Sequence, residues 1–371
     1  MLTKYGILFI FKAITKQRWL KNMQTVLMYV LFIVGLILII KGGDWFVDSA
    51  SWIAEVLGVP KFVIGATIVS IATTLPEMIV SIQATIKGNV EMAAGNAIGS
   101  VTANTAMIMG VFIVCMPFAI KRKQFAPKAL MMFGASLTLV LGCIFTAKVE
   151  RNFAGETGMF YNLSKIGLIV LVVIFVVFFI ENFITIKNEE RHLEPSPHNI
   201  GLQEEDDIVP TKETSTSKDW IKNIIFFVLG AAGIVIGADL LVDYGTEIAT
   251  SLGIPQRVIS VVAVAIGTSL PELVTTITAL KKKVGALSVG NILGANIIDL
   301  TLILPICSFV SMGKGTGDLA VSVSSVTVDM VVCLAAIAVA VFPTIISKKF
   351  HRWQGIVMLA GYVAYVITVF V

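Results

Sequence analysis

Apolar stretches separated by short polar breaks run along almost the whole chain. Each stretch is long enough for a helix to cross a hydrocarbon core of about 30 Å, which takes about 20 predominantly apolar residues. We therefore predict an all-α membrane protein with ten transmembrane helices, a multi-pass protein of the cell membrane. The predicted spans are 26–49, 60–86, 91–117, 129–147, 166–186, 221–243, 258–280, 285–310, 328–346 and 354–371.

A hydrophilic stretch between the fifth and sixth spans divides the chain into two units. It contains EERHLEPSPHN and QEEDD, and this content of charge, Pro and Ser is typical of a solvated linker. The predicted organisation is a five-helix unit over 23–186, a linker over 187–220 and a second five-helix unit over 221–371. Residues 1–22 are a basic N-terminal extension, for which an interfacial helix, a signal-like leader and a stretch upstream of the true start all stay open.

Composition excludes a protein folded around one soluble core. Hydrophobic residues make up 56% of the 371 residues, charged residues 14%, and the mean hydropathy is +0.90. The net charge of +4 comes from Lys and Arg in short connecting segments, which indicates topology and not nucleic-acid binding. The positive-inside rule places the linker in the cytoplasm. The lipid bilayer is the expected surrounding, and no protein partner is implied.

The two units are copies of each other, displaced by 195 residues. Because each unit holds five spans, an odd number, the second copy must enter the membrane from the opposite face. We therefore predict two inverted five-helix repeats, an architecture typical of transporters. Matched positions include Gly35 with Gly230, Asp44 with Asp239, Asp48 with Asp243, TTLPE (73–77) with TSLPE (268–272), and GNAIGS (95–100) with GNILGA (290–295).

Both copies place a proline and a glutamate side by side inside a predicted span. A proline within a helix leaves the carbonyl four residues earlier without a partner, and hydrocarbon tolerates such an oxygen only where it lines a cavity. Together with carboxylates and hydroxyls, these carbonyls are ligands for a hard cation such as Ca²⁺ or Na⁺. The candidates are Thr73, Thr74 and Glu77 beside Pro76, and Thr268, Ser269 and Glu272 beside Pro271.

A second polar group follows each GNxxG stretch. Ser100 and Asn104 share one helical face in the first copy, and Asp299 takes the corresponding position in the second. A charged side chain at the bilayer centre costs about 2.5–3.5 kcal/mol on insertion scales, so three acids inside spans indicate a function. Hydrogen bonding between helices is the alternative role, but packing alone does not account for a duplicated acid with an adjacent proline.

Residues 65–110 and 260–305 resemble the two α-repeats of the cation/calcium exchanger superfamily, and its prokaryotic sodium/calcium exchangers in particular. The resemblance covers residues 26–371, and it implies a central group of cation sites with Ca²⁺ and Na⁺ as transported ions and no cofactor. The implied ion ligands are Ser70, Thr73, Thr74, Glu77, Ser100, Asn104, Ser269, Glu272 and Asp299, with Ala265 and Thr268 contributing backbone oxygens.

The expected function is a secondary active antiporter, not an enzyme, that exchanges Ca²⁺ for Na⁺ by alternating access. The main alternative is a Ca²⁺/H⁺ antiporter, because Val101 replaces an asparagine that is usual in sodium-coupled members, whereas Asp299 favours sodium coupling. Ala295 stands where family members often have a ligand serine. A cation channel is a further alternative from another class, and it would pass Ca²⁺ without a counter-ion.

Overall fold

The computed structural model describes residues 2–88, 90–146, 148–153, 156–190, 215–252, 269–313, 319–323 and 325–370. These residues are mostly helical, and eight of the helices are long and apolar enough to cross a membrane. The first part of the predicted span 258–280 lies outside the described residues. The helices are α1 (Leu2–Leu57), α2 (Lys61–Ile86), α3 (90–115), α4 (Arg122–Ile144), α5 (Lys165–Glu190), α6 (Ser217–Ser251), α7 (Leu270–Lys281), α8 (Gly285–Gly313), α9 (325–347) and α10 (Arg352–Phe370).

The helices α1 and α6 pack against each other along much of their length, and they run antiparallel. A Cβ added to Gly42 would lie 2.8 Å from the carbonyl oxygen of Gly230, and one added to Gly237 would lie 2.8 Å from that of Gly35. Only glycine allows two backbones to approach this closely. As residue numbers rise along α1 they fall along α6, which fixes the antiparallel direction.

The helix α8 forms the centre of the molecule. In the most apolar stretch of α8, 83% of the residues are buried, compared with 28% in that of α1 and 22% in that of α6. Gly294 on α8 sits directly against the backbone of Ala66 and the side chain of Ser70 on α2, so any larger residue there would push the two helices apart. Helices α3, α4 and α7 also contact α8. The predicted site residues that the structure describes lie on α2, α3, α7 and α8 or, for Ser269, directly before α7.

One charged residue lies deeper than its sequence context indicates. Lys128 belongs to a basic group just before the predicted span 129–147, but α4 begins at Arg122 and Lys128 is completely buried within it. Its ammonium group forms an ion pair with Glu181 on α5 and lies 5.6 Å from the centre of the Phe62 ring. A buried lysine needs such a partner, because an unpaired charge in a protein interior is strongly destabilising.

A small antiparallel sheet departs from the predicted all-α fold. Strands β1 (Lys148–Phe153) and β2 (Glu156–Asn162) form a hairpin between α4 and α5, and β3 (Ala320–Ser322) follows α8. The order is β1-β2-β3, with Tyr161 opposite Val321. The hairpin occupies a predicted break between spans, where polar and Gly residues allow strands, so the transmembrane part of the prediction is unaffected.

Candidate cation site

The helix α2 carries four of the predicted site residues and is irregular at two points. A π-helical segment, Gly65–Val69, lies within it, and Pro76 lies inside the α-helical part that follows, Ser70–Ile86. Both features interrupt the regular ladder of backbone hydrogen bonds, and such interruptions are frequent at functional sites. The site residues on α2 are all buried: Ser70, Thr73, Thr74 and Glu77.

The second copy of the motif is built differently. Helix α7 begins at Leu270, so Pro271 occupies its first turn and not the helix interior that the sequence predicts. Proline is well tolerated there, because the first N–H groups of a helix have no intrahelical partner. Glu272 also lies in the first turn, where the helix dipole favours a negative charge, and Ser269 directly precedes the helix. The predicted ligands Ala265 and Thr268 lie outside the described residues.

The remaining site residues lie on α3 and α8, and both helices contain a π-helical segment. In α3 this segment is Ala103–Met109, which includes Asn104, and in α8 it is Asp299–Ile303, which begins with the predicted acid. Ser100 lies one turn before the segment in α3, and all three predicted side chains are buried. The π turns re-aim side chains relative to a regular helix, and the amino-acid pattern carries no signal for them.

The structure brings the three acidic side chains together. Glu77 interacts electrostatically with both Glu272 and Asp299, and Glu272 interacts with Asp299. Their exposed fractions are 1%, 0% and 1%, and none of their six carboxylate oxygens has a partner in hydrogen-bond geometry among the described residues, although the Thr73 hydroxyl lies near the Glu272 carboxylate. Buried polar groups are normally hydrogen-bonded, and a buried carboxylate without a partner is costly, so this cluster needs bound cations or protons.

Neutral oxygens without partners accompany the acids. They are Thr74 Oγ1, Ser269 Oγ and Asn104 Oδ1, all buried and without a hydrogen-bond partner in the described part of the chain. No three His, Cys, Asp or Glu side chains among the described residues form a group that could hold a metal ion by themselves. A cation near the acids would therefore also need hydroxyl, amide or backbone oxygens, the mixed ligand set that Ca²⁺ takes.

Asparagines support the site from α3 and α8. Asn96 Nδ2 donates to the backbone carbonyl of Glu77 at 3.3 Å, and Asn291 Oδ1 accepts from the Thr73 hydroxyl at 3.2 Å. These two asparagines are the ones in the repeated GNxxG motif. Their side chains connect α3 and α8 to α2, on which Thr73 and Glu77 lie. Sequence analysis missed Asn296, which contacts Asn104; its only signal is that the matched position holds Val101.

Comparison with known proteins identifies the family. The family model described as "Sodium/calcium exchanger protein" matches residues 27–183 and 222–371, which is most of the chain. The chain belongs to the sodium/calcium exchanger family. The predicted resemblance is thereby confirmed, and this sodium/calcium exchanger family member is a multi-pass membrane protein and a transporter, not an enzyme.

Individual relatives cover nearly the whole exchanger. The sodium/calcium exchanger MaX1 of Methanosarcina acetivorans is 31% identical over 92% of this chain and 98% of its own length. An uncharacterized membrane protein of Methanocaldococcus jannaschii is 30% identical over 90% of this chain and 94% of its own. A structure of the sodium-calcium exchanger NCX_Mj, soaked without Na⁺ and Ca²⁺, is 28% identical with a TM-score of 0.71, over 93% and 99% of the two chains. These likenesses cover both halves of the chain.

Proposed function

We propose that this protein exchanges Ca²⁺ for Na⁺ across the cell membrane by alternating access. The observation that carries the proposal is the cluster of buried, unpartnered oxygens on Glu77, Glu272 and Asp299. Three carboxylates carry a charge of −3, which three Na⁺ would neutralise, whereas one Ca²⁺ leaves −1. Competition of the two ions for one acidic cavity would then couple their transport.

The proposed ligands are those that the family resemblance implies. Side-chain oxygens from α2, α3, α8 and the start of α7, including Ser269 directly before it, surround the ions, and Ala265 and Thr268 contribute backbone oxygens. Hydroxyls that already donate a hydrogen bond, such as that of Ser70 to the Thr67 carbonyl, keep lone pairs for a cation. The side-chain ligands in this proposal are Ser70, Thr73, Thr74, Glu77, Ser100, Asn104, Ser269, Glu272 and Asp299.

The proposal includes two inverted five-helix repeats, 23–186 and 221–371, joined by the linker 187–220. The glycine contacts between α1 and α6 support it. Exchanging the two copies turns the contact between Gly42 and Gly230 into one between Gly237 and Gly35, and both contacts are present. Corresponding helices that cross antiparallel in this self-matching way are expected when a duplicated unit enters the membrane from opposite faces.

Transport into liposomes tests the proposal directly. The purified protein is reconstituted, and uptake of labelled Ca²⁺ is measured under an imposed Na⁺ gradient, under an imposed pH gradient and with neither. We expect the outward Na⁺ gradient to drive uptake that empty liposomes lack. Moving three Na⁺ against one Ca²⁺ transfers one net charge, so a membrane potential should alter uptake by about 2.3 kcal/mol of driving force per 100 mV. Uptake driven by the pH gradient alone would contradict sodium coupling.

A Ca²⁺/H⁺ antiporter is the second candidate, and Val101 is the observation that favours it. Val101 is completely buried at a position where sodium-coupled members usually have an asparagine. With an apolar residue there, position 101 supplies no amide to the cation site, and a proton could take the place of a sodium ion. The pH-gradient arm of the liposome experiment distinguishes the two candidates.

A further inference from the structure

The amide of Asn104 is held by a residue from the other half of the chain. Asn104 Nδ2 donates to Asn296 Oδ1 at 3.1 Å, and both side chains are buried. Asn104 Oδ1 has no hydrogen-bond partner within the described residues. The amide therefore points a donor at Asn296 and keeps its acceptor unused.

The orientation of this amide decides what Asn104 can bind. An asparagine side chain has an oxygen at one end and an NH₂ group at the other, and a half-turn exchanges them. One orientation offers an oxygen to a cation, whereas the other offers an N–H that repels a cation. The contact with Asn296 alone does not choose between them, because two amides can rotate together and keep a hydrogen bond. A third group must fix the direction of the pair.

Met132 on α4 supplies that direction. Asn296 Nδ2 lies 2.8 Å from Thr105 Oγ1 and 3.3 Å from Met132 Sδ. A hydroxyl accepts or donates a hydrogen bond, but a thioether sulfur only accepts one. The NH₂ end of Asn296 must therefore face Met132, which turns the oxygen of Asn296 toward Asn104.

The two halves differ at the matched positions in a way that agrees with this role. Under the displacement of 195 residues, Asn104 matches Asp299 and Asn296 matches Val101. The helical part Val90–Thr102 of α3 packs against the segment that begins at Asp299. A carboxylate offers an oxygen at either end and needs no orienting partner, and an apolar residue stands at the position that would supply one.

We propose that Asn296, backed by Met132, is a positioning residue that turns the Asn104 oxygen toward the transported cation. This inference rests on the proposed function. Neither residue contacts the ion, because each acts through the Asn104 amide. Loss of the orientation removes a ligand from the bound state, so it weakens cation affinity more than it changes the maximal transport rate.

The test makes the substitution Asn296→Val both in the native chain and in the Asn104→Asp variant. Valine is chosen because it is the residue at the matched position, Val101. Binding of Ca²⁺ alone and of Na⁺ alone to the full-length protein is measured by calorimetry, and exchange in liposomes gives KM and the maximal rate. In the native chain we expect affinity to fall roughly tenfold, as for the loss of one interaction with a charged group, with the maximal rate changed less than about twofold. In Asn104→Asp, where either end of the side chain is an oxygen, the same substitution should change affinity by less than about twofold.

Met132→Leu keeps the side-chain volume and removes only the sulfur acceptor, so we expect affinity to fall by about two- to threefold. Thermal unfolding without ions checks each variant, and if Asn296→Val does not fold, Met132→Leu in the same two backgrounds carries the test. Unchanged affinity in the native chain, or an equal loss in both backgrounds, overturns the inference. Failure of the unsubstituted protein to bind Ca²⁺ and Na⁺ would overturn the proposed function instead, so the two failures are distinguishable.

Discussion

The two halves of this exchanger agree at the glutamates and differ one helix further along. Glu77 and Glu272 match under the displacement of 195 residues, and both are buried with unpartnered oxygens. At the next matched pair, Asn104 offers an amide where Asp299 offers a carboxylate. In the proposed exchange, the shared pair contributes two of the three negative charges of the site and the unlike pair contributes the third.

The halves differ again at the short connections that follow α2 and α7, the two helices that carry the proline and glutamate. Lys282, just after α7, lies 2.7 Å from a carboxylate oxygen of Asp48 on α1, and Asp44 lies 3.8 Å away. Lys87, which matches Lys282, forms no ion pair with Asp239 or Asp243 within the described part of the chain. The two matched connections thus differ in their contacts with the first helix of the other half.

The largest effect is expected from neutralising either glutamate. Glu77→Gln and Glu272→Gln keep the shape but remove one of three negative charges, and losing a partner in a buried charged contact costs about 2–5 kcal/mol. We expect Na⁺-driven Ca²⁺ uptake to fall by about a hundredfold or more in both variants. Substitution of the exposed Glu247 by Gln is the control and should leave uptake unchanged. Robust uptake by either glutamate variant would show that the halves are not equivalent at this pair.

The unlike pair should control charge transfer. Asp299→Asn makes the halves alike and lowers the cluster from −3 to −2, which two Na⁺ would neutralise. We expect exchange to slow by about tenfold and to lose its response to membrane potential, which otherwise contributes about 2.3 kcal/mol per 100 mV for each net charge. Uptake measured at several imposed potentials checks this. A slope equal to that of the native protein would mean that Asp299 does not set the ion count.

The glycine contacts between α1 and α6 should affect movement more than binding. Gly42→Ala and Gly237→Ala place a methyl group 2.8 Å from a facing carbonyl oxygen, and such overpacking typically costs about 1–3 kcal/mol. We expect both variants to exchange several-fold more slowly at saturating ion concentrations, with unchanged Ca²⁺ affinity. Gly361→Ala is the matched control, because its Cβ would meet nothing within 4 Å. Weaker Ca²⁺ binding in the two variants would contradict this separation.

The smallest effect is expected from breaking the ion pair between Lys282 and Asp48. Exposed ion pairs contribute about 0–1 kcal/mol to stability. Lys282→Ala should therefore reduce by about twofold the population of the conformation in which the connection after α7 contacts α1. Spin labels on α1 and on the connection after α7 report that population as a distance distribution. Lys87→Ala serves as the comparison and should leave the distribution unchanged. An equal response of both variants would show that the ion pair between Lys282 and Asp48 does not stabilise this conformation.

Features that depend on composition over a whole segment could be predicted from the sequence. The predicted spans overlap helices wherever the structure describes them, and the buried acids lie near one another on the helices that carry the duplicated motifs. The assignment of individual ion ligands stays a prediction.

Features that depend on a partner elsewhere in the chain could not be predicted. Lys128 has the sequence context of a polar break, and its burial follows from Glu181 on the next helix. The π turns before and at the site residues have no amino-acid signature. Asn296 was visible as a mismatch with Val101, but the direction of its amide depends on Met132, which is far away in sequence.

The low burial of α1 and α6 makes fatty-acid chains the main medium around that pair. A helix whose apolar length differs from the bilayer thickness tilts or deforms the surrounding lipid, at a cost of fractions of a kcal/mol per Å. Any displacement of the pair along the membrane normal changes this mismatch, whereas the enclosed α8 is shielded from it. Acyl-chain length should therefore tune the turnover of this exchanger, so that the lipid composition of the host cell acts on it much as an effector would.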